Sequence, residues 1–303
     1  MKSWERNTMT NGSDWMGVEW SRERLRIWVF GADGALREEI TSGDGTDFLS
    51  AEAFEPTLAS VIAGHLQDDA ATDILVAGPV AMPGLWGGGA LRSVPCTPPG
   101  PGDLSQGEVT DDRLRLHLVN GIAQDKPDAV MFADGVRIAG FLATYPEFDG
   151  VICLPGLVSR WVHVSAGEIV SFQHLMTGRL IAATSRAMGI APEGDTPEPI
   201  FLEAVEDAMA KPQAMAGRIG ALEAALTLGR MAATEARGRI AGGFVGLELA
   251  ATRPYWLGQR VALVGGDRSY RAALAQVGVT PEIEDEAQVL RAGFCRIKGI
   301  QTL

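Results

Sequence analysis

Two turns that follow short apolar strands offer the groups that bind phosphate. The first turn, 21–24, contains one hydroxyl, Ser21, and two arginines, but no glycine. The second turn, 155–160, contains Gly156, Ser159 and Arg160. Backbone N–H groups, hydroxyls and guanidinium groups all donate hydrogen bonds to phosphate oxygens. Both turns are therefore candidate phosphate sites, although a solvated hairpin end at the first and structural packing at the second stay open.

A carboxylate and a Thr-Gly-Arg segment are further candidates. Asp134 stands just before the apolar run 136–142, where it would act as general base toward a sugar hydroxyl or cap the helix. Thr177 begins another helical pattern and is placed to approach a ligand. Arg179 would clamp a carboxylate, or would face solvent at an ordinary helix start.

Paired glycines follow a late apolar strand. Gly265 and Gly266 close the run 260–264 and precede a helical pattern, an arrangement that turns backbone N–H groups toward a nucleotide. We expect them to contact adenine or ribose, and an ordinary tight turn is the alternative. The three cysteines form no CxxC pair, and the four histidines lie in no metal or nucleophile motif. The sequence thus offers no zinc site, disulfide framework or serine hydrolase.

The elements that must position these residues recur along the chain. An order of strand, polar turn, strand, hairpin turn and strand occurs near residue 16 and again near residue 150, which predicts two related α/β domains. A Gly- and Pro-rich segment, 83–107, interrupts the first half and is expected to be an irregular binding loop anchored by Trp86. The predicted strands are 16–20, 25–30, 36–40, 74–77, 150–154, 160–164, 168–172, 260–264 and 279–283, and the predicted helices are 51–66, 136–142, 199–211, 215–234, 235–251, 268–277 and 285–300.

Composition restricts the classes of partner. The chain has 303 residues, 46% of them hydrophobic, and a formal net charge of -12. This negative balance argues against nucleic acid and anionic membranes as partners, but allows a small anionic substrate. No apolar signal core or spanning segment occurs, so we expect a cytoplasmic protein, with a homodimer left open. We divide it into an irregular extension, 1–15, an N-terminal domain, 16–145, and a C-terminal domain, 146–303.

The order of several motifs resembles the 2-dehydro-3-deoxygalactonokinases. The resemblance covers nearly the whole chain from about residue 16. It implies an α/β, two-domain actin/hexokinase-like (ribonuclease H-like) kinase fold with duplicated β-hairpin cores and a central cleft. The matching motifs are Glu19-Trp20, 76–80, Trp86, 91–95, Pro155-Gly156, Arg160-Trp161, Met176-Thr177-Gly178, 264–266 and 292–293.

The resemblance also implies an activity, transfer of the ATP γ-phosphoryl group to a 2-keto-3-deoxy sugar acid. It implies ATP and Mg²⁺ as cofactors, with Glu19 as metal ligand and Glu19 and Asp134 as catalytic groups. Ser21, Gly156, Ser159, Gly265 and Gly266 would then meet the nucleotide and its phosphates, and Trp86, Arg160, Thr177 and Arg179 would bind the substrate.

The chain departs from the family pattern at polar loop positions. Glu19 stands where the family has Asp, and Arg179 stands where it has Glu. Two hypotheses therefore remain, an active sugar-acid kinase with a remodelled site, and a catalytically degenerate relative that binds a sugar acid or a protein partner.

Overall fold

The computed structural model describes residues 14–300 except Asp68, Gly88 and Asp267, so most of the predicted N-terminal extension lies outside the described residues. The chain divides into two compact units, 1–147 together with 286–303, and 148–285. In the part of the chain that the structure describes, no helix is long and apolar enough to cross a membrane.

Unit 1 is built on a six-stranded sheet in the order β3-β2-β1-β4-β7-β6, with a separate three-stranded sheet in the order β5-β8-β9. Its helices are α1 (Phe54–Val61), α2 (Ala133–Thr144) and α9 (Glu286–Lys298). Its strands are β1 (Trp15–Trp20), β2 (Leu25–Phe30), β3 (Leu36–Ser42), β4 (Thr72–Ala77), β5 (Leu91–Ser93), β6 (Leu104–Gln106), β7 (Leu114–Val119), β8 (Gly121–Asp125) and β9 (Asp128–Met131).

Strand β1 is buried along its whole length because both faces of the sheet are covered. Met16 and Val18 alternate into a core that includes α1, whereas Trp15 belongs to the core that includes α9. Gly17 faces the ring of Phe294 at a distance that leaves no room for a Cβ atom. The stretch 15–18 of β1, which has no polar side chain, is therefore what a strand between two layers requires.

Unit 2 repeats this plan with a five-stranded sheet in the order β12-β11-β10-β13-β14. Two of its helices, α4 (Glu198–Ala210) and α6 (Ala233–Ala251), pack at close range, since a Cβ atom at Gly242 would collide with the carbonyl of Phe201. The strands are β10 (Gly150–Leu154), β11 (Ser159–Ser165), β12 (Glu168–Leu175), β13 (Val261–Val264) and β14 (Glu282–Glu284). The helices are α3 (Thr177–Ala187), α4 (Glu198–Ala210), α5 (Met215–Thr227), α6 (Ala233–Ala251), α7 (Arg253–Trp256) and α8 (Arg268–Gln276).

The two units share one topology. In each, three antiparallel strands run consecutively, and the first of them also pairs in parallel with the fourth strand of the core, β4 in unit 1 and β13 in unit 2. A further parallel strand then extends the sheet, β7 in unit 1 and β14 in unit 2. The duplicated β-hairpin core expected from the sequence is confirmed.

The structure differs from the sequence-based elements in several places. The segment 83–107 is not wholly irregular, because it contains β5 and β6. The helix predicted over 215–234 is shorter in the structure and ends at Thr227. Gly229, two residues later, adopts a φ of 66°, and its amide donates to the carbonyl of Leu226. Asp134 is not the N-cap of α2, since Phe132 holds that position.

Helix α9 belongs to unit 1 although it follows unit 2 in the chain, because its apolar face is buried there.

A buried ionic cluster joins α9 to β4 in unit 1. Asp73, 1% exposed, accepts hydrogen bonds from Lys298 Nζ at 2.7 Å, Arg115 Nη1 at 3.2 Å and His117 Nε2 at 3.4 Å. Burial alone would raise the pKa of Asp73, but the hydrogen bonds from His117 and Lys298 outweigh burial and hold that pKa well below its usual range. The carboxylate is therefore ionised at neutral pH and compensates the buried ammonium of Lys298.

We predict that Asp73→Asn lowers the free energy of unfolding by about 3 kcal/mol, because it leaves a buried ammonium without its counter-charge. Urea denaturation at pH 7 measures this loss. The folded-state pKa of Asp73 is lowered, so its stabilising contribution is present above about pH 4 and is lost as pH falls below that value.

Asp47→Asn is the matched control, since Asp47 pairs with Arg22 at the surface, where both side chains are about half exposed. We expect this control to change the free energy of unfolding by less than about 0.5 kcal/mol. Equal losses in the two variants would contradict the structural role of the Asp73 cluster.

Candidate functional site

A pocket of about 440 Å³ lies within unit 2 and brings together four residues that the sequence singled out, Gly156, Ser159, Thr177 and Gly266. Its volume is within the range of small-molecule sites. The remaining lining is Pro155, Gly178, Ile181, Pro192, Glu193, Gly194, Thr196, Phe201, Arg237, Ala241, Val245, Ser269 and Tyr270. The pocket thus combines apolar surface with hydroxyl groups, one acidic side chain, Glu193, and one basic side chain, Arg237.

Two helices begin at this pocket. Thr177 and Gly178 open α3, and Ser269 and Tyr270 lie in the first turn of α8. The first N–H groups of a helix have no partner within the helix, so both first turns offer donors and a partial positive charge. A Cβ atom at Gly178 would lie 2.5 Å from the carbonyl oxygen of Gly156, so glycine is required where α3 meets the turn after β10.

The loop 191–196 forms one wall of the pocket and is held by a single arginine. Arg237, on α6, donates from Nε to the carbonyl of Ala191 at 2.8 Å and from Nη1 to the carbonyl of Asp195 at 2.9 Å. Glu193 and Gly194 lie between these two anchors and line the pocket. The sequence reasoning missed this loop, because its contact with α6 joins residues more than 40 positions apart.

A buried carboxylate, Glu248 on α6, contacts two of the lining residues. Glu248 is 2% exposed and accepts hydrogen bonds from Trp161 Nε1 at 2.7 Å and from the hydroxyls of Thr177 and Tyr270. Burial, and secondarily the charge of Glu248, raises the pKa of Tyr270 and that of the Cys153 thiol well above their ordinary values. The sequence did contain a signal for Glu248, since it is the one charged residue in the apolar run 241–251.

Three other sequence candidates of unit 2 are not among the lining residues. The Gly265 amide, just after β13, donates to the carbonyl of Glu284 on β14 at 2.9 Å. Arg160 lies on β11 and donates from Nη1 to the carbonyl of Val158 at 3.2 Å. Arg179 is partly buried in α3, and its amide donates to the carbonyl of Leu157. Their roles in binding stay predictions.

In unit 1, Glu19 at the end of β1 is enclosed by arginines. Arg26, its partner across the strand pair, donates from Nε to Oε2 at 2.6 Å, and Arg137 of α2 donates to Oε1. Arg137 also contacts Glu286 Oε1 at 2.6 Å and Asp134 Oδ1 at 3.3 Å. Burial would raise the pKa of Glu286, but the charges of Arg137 and Arg26 outweigh it and hold that pKa at about 2.

This arrangement does not fit a metal ion held by Glu19. Both of its carboxylate oxygens already accept hydrogen bonds from guanidinium groups. Over the described ranges, no group of three or more His, Cys, Asp or Glu side chains is placed to hold a metal. The two guanidinium charges that contact Glu19 would also repel a small cation such as Mg²⁺.

Two further unit 1 candidates have structural contacts. The Ser21 hydroxyl donates to the carbonyl of Arg24 and accepts from its amide, so it stabilises its own turn. Trp86 is 8% exposed, packs edge-on against Trp20, and donates from Nε1 to the carbonyl of Glu108 at 2.8 Å. Both positions favour structural roles, and binding by either residue stays a prediction.

We predict that Glu19→Gln lowers the free energy of unfolding by about 3 kcal/mol in metal-free buffer, because it removes a buried charge shared by two arginines. Chemical denaturation with a chelator present measures the effect. Glu23→Gln, at an exposed position of the adjoining turn, is the control and should change stability by less than about 0.5 kcal/mol. A Glu19→Gln protein with unchanged metal-free stability but weaker Mg²⁺ binding would contradict the ion-pair role.

Comparison with known proteins identifies the family. The family model for 2-keto-3-deoxy-galactonokinase matches residues 19–297. A protein named "probable 2-dehydro-3-deoxygalactonokinase" from Rhizobium meliloti is 27% identical over 302 residues, which cover 94% of this chain and 97% of the relative.

Two solved structures show the same fold. A protein from Sinorhizobium meliloti assigned as a 2-dehydro-3-deoxygalactonokinase superposes with a TM-score of 0.84 at 24% identity, over 95% of this chain and 97% of its own. The activator of 2-hydroxyisocaproyl-CoA dehydratase from Clostridium difficile, solved with bound ADPNP, gives a TM-score of 0.53 at 11% identity, over 95% of each chain. The expected actin/hexokinase-like α/β fold is confirmed. With its family model matching from residue 19 to residue 297, the chain belongs to the 2-keto-3-deoxy-galactonokinase family.

Proposed function

We propose that this protein is an ATP-dependent kinase that phosphorylates a 2-keto-3-deoxy sugar acid, with 2-dehydro-3-deoxygalactonate as the first candidate substrate. Membership of a kinase family implies ATP as phosphoryl donor and usually a divalent metal ion. The observation that carries the proposal is the unit 2 pocket, which gathers Gly156, Ser159, Thr177 and Gly266 at the start of two helices. A cytoplasmic location and a homodimer stay predictions.

The composition of the pocket supports a nucleotide. Apolar side chains such as Ile181, Phe201 and Val245 offer surface for a base, and the first turns of α3 and α8 offer N–H donors for negatively charged oxygens. Glycine at 178 lets the start of α3 approach the backbone of the turn after β10, so both line the same pocket. Since phosphoryl transfer depends mainly on positioning and on charge stabilisation, such a set of fixed donors is what the reaction requires of the protein.

One carboxylate and two arginines are the proposed groups that activate and bind the sugar-acid substrate. Asp134 lies in the first turn of α2, and its side chain is 20% exposed, so we keep it as the general base toward the acceptor hydroxyl. Arg160 and Arg179 are the candidates to bind the substrate carboxylate through paired N–H groups. Because Glu19 accepts hydrogen bonds from Arg26 and Arg137, its proposed role is to hold α2 against β1, and it is not proposed as a metal ligand.

A coupled assay of ADP release tests the proposal. With ATP, Mg²⁺ and 2-dehydro-3-deoxygalactonate we expect turnover in the range of about 1–100 per second that is usual for kinases. Glucose, which lacks the carboxylate, is the control acceptor and should give only background ADP release. Thermal stabilisation by the sugar acid without any phosphorylated product would instead support the catalytically degenerate relative.

A second prediction concerns the loop 191–196. Arg237→Ala removes two charge-assisted hydrogen bonds that position this wall of the pocket, so we expect the Kd for ATP to rise about tenfold or more. The effect should appear in KM for ATP and much less in KM for the sugar acid. Isothermal titration calorimetry and steady-state kinetics measure the two effects.

Arg239→Ala provides the matched control on the same helix. Arg239 contacts Glu235 and Glu203 and does not line the pocket. Its substitution should leave ATP affinity within twofold of the unaltered protein, about 0.4 kcal/mol. Equal losses of affinity in the two variants would contradict nucleotide binding beside the loop.

A further inference from the structure

Three helices of unit 2 enclose a second pocket, of about 240 Å³, which the proposed reaction does not use. It lies between α4, α5 and α6, and we call it the α5 pocket. Its lining is Ala204, Asp207, Met215, Arg218, Ala221, Leu222, Met231, Arg239 and Gly243. None of these residues lines the pocket around Gly156 and Thr177 that we assign to the nucleotide.

The two pockets lie on nearly opposite faces of α6. Ala241 and Val245 line the proposed nucleotide pocket, whereas Arg239 and Gly243 line the α5 pocket. Successive residues of an α-helix are about 100° apart around its axis, so residues two positions apart face directions about 160° apart. A ligand in the α5 pocket would therefore not compete for space with a nucleotide.

The interior of the α5 pocket is apolar and adaptable. Met215 and Leu222 are buried, and Met231 is partly buried. A Cβ atom at position 243 would lie 2.5 Å from Met215 Cε, so Gly243 leaves room for that side chain. Methionine has three rotatable bonds and a polarizable sulfur atom, which let it adjust to the shape of an apolar group. The pocket is thus suited to the hydrocarbon part of a ligand.

Arg218 brings donors without acceptors to this pocket. In the part of the chain that the structure describes, its side chain donates no hydrogen bond, although that side chain is only 30% exposed and its Nη1 atom is buried. Its contact from Nη2 to Asp207 Oδ1, at 3.8 Å, is too long for a hydrogen bond. Arg239, the other arginine of the lining, differs because its Nε donates to Glu235 Oε1 at 3.1 Å.

A carboxylate on the ligand would supply the acceptors that Arg218 lacks. One carboxylate accepts two parallel hydrogen bonds from one guanidinium group, and such charge-assisted bonds are roughly twice as strong as neutral ones. Asp207 is the carboxylate that competes for Arg218, but its side chain is 58% exposed and its contact is loose. The pocket therefore combines an apolar interior with a cation that has no hydrogen-bonded counter-charge among the described residues.

The volume of the pocket limits the size of the ligand. An engineered apolar cavity of about 150 Å³ binds benzene, a molecule of six non-hydrogen atoms. By proportion, the α5 pocket has room for about eight to ten non-hydrogen atoms. A monocarboxylate with about six to eight carbons has that size.

We propose that the α5 pocket binds a small monocarboxylate, with its hydrocarbon part against Met215, Leu222 and Met231 and its carboxylate paired with Arg218. Both parts of such a ligand are needed, because the apolar lining does not hold a bare anion and Arg218 does not bind an uncharged chain. The proposal does not depend on the kinase activity, since no described residue lines both pockets.

NMR spectroscopy of the full chain, labelled with ¹³C at the methionine methyl groups, tests the proposal with hexanoate as the probe. We expect saturable shifts of the Met215 and Met231 signals and a Kd on the order of 1 mM, which suits a ligand of about eight non-hydrogen atoms. 1-Hexanol, which lacks the charge, and acetate, which lacks the hydrocarbon part, should each bind at least about tenfold more weakly. Met131, which is buried in unit 1, is the internal control and should not shift.

Three variants locate the carboxylate. Arg218→Met keeps an apolar stem but removes the guanidinium group, so hexanoate should lose its preference over 1-hexanol. Asp207→Asn removes the charge that competes for Arg218, so affinity for hexanoate should rise about threefold while that for 1-hexanol stays within about twofold. Arg230→Met is the matched control, because Arg230 is exposed and does not line the pocket, and it should bind hexanoate like the unaltered protein. Thermal melting verifies that each variant is folded.

The outcomes separate this proposal from the proposed function. Equal binding of hexanoate and 1-hexanol by the unaltered protein would overturn it, as would a preference for hexanoate that survives in Arg218→Met. Shifts at other methionines without shifts at Met215 and Met231 would place the ligand elsewhere and would overturn it too. Shifts of both signals that persist with a saturating non-hydrolysable ATP analogue would support the proposal, whether or not the kinase assay shows turnover.

Discussion

The central strand of each sheet is buried on both faces, and this constraint governs where polar chemistry occurs. Along β1 and β10 nearly every side chain packs into a hydrophobic layer, so functional groups concentrate where the strands end. Glu19 lies near the end of β1, the turn with Gly156 follows β10, and Gly266 follows β13. Open α/β sheets bind ligands outside the carboxyl ends of their strands for the same reason.

One topology carries different chemistry in the two units. In unit 1 the carboxylate near the end of β1 is neutralised by Arg26 and Arg137, and the resulting ion pairs hold α2 and α9. In unit 2 the corresponding turn remains open as a pocket, and its buried carboxylate, Glu248, comes from α6. Ion pairs buried in this way cost desolvation energy, so their value lies in fixing one arrangement of the helices more than in added stability.

The sequence predicted those parts of the fold whose signals are local. The predicted strands 25–30 and 150–154 match β2 and β10, because each is a mainly apolar run that ends at a polar or glycine-containing turn. Strands β7 to β9 were missed, since their pattern includes polar residues such as His117 that are buried by tertiary pairing. Of the pocket, the glycines and hydroxyls next to strands were found, whereas Arg237 and Tyr270 were not, because the packing of α6 and α8 brings them there and no short motif marks them.

The account centres on a nucleotide bound within unit 2. A crystal structure of the full chain with a non-hydrolysable ATP analogue tests this most directly. We expect the analogue in the unit 2 pocket, between the turn after β10 and the first turns of α3 and α8. Density for the analogue at another place, or an empty pocket at a concentration that saturates binding in solution, would contradict the account.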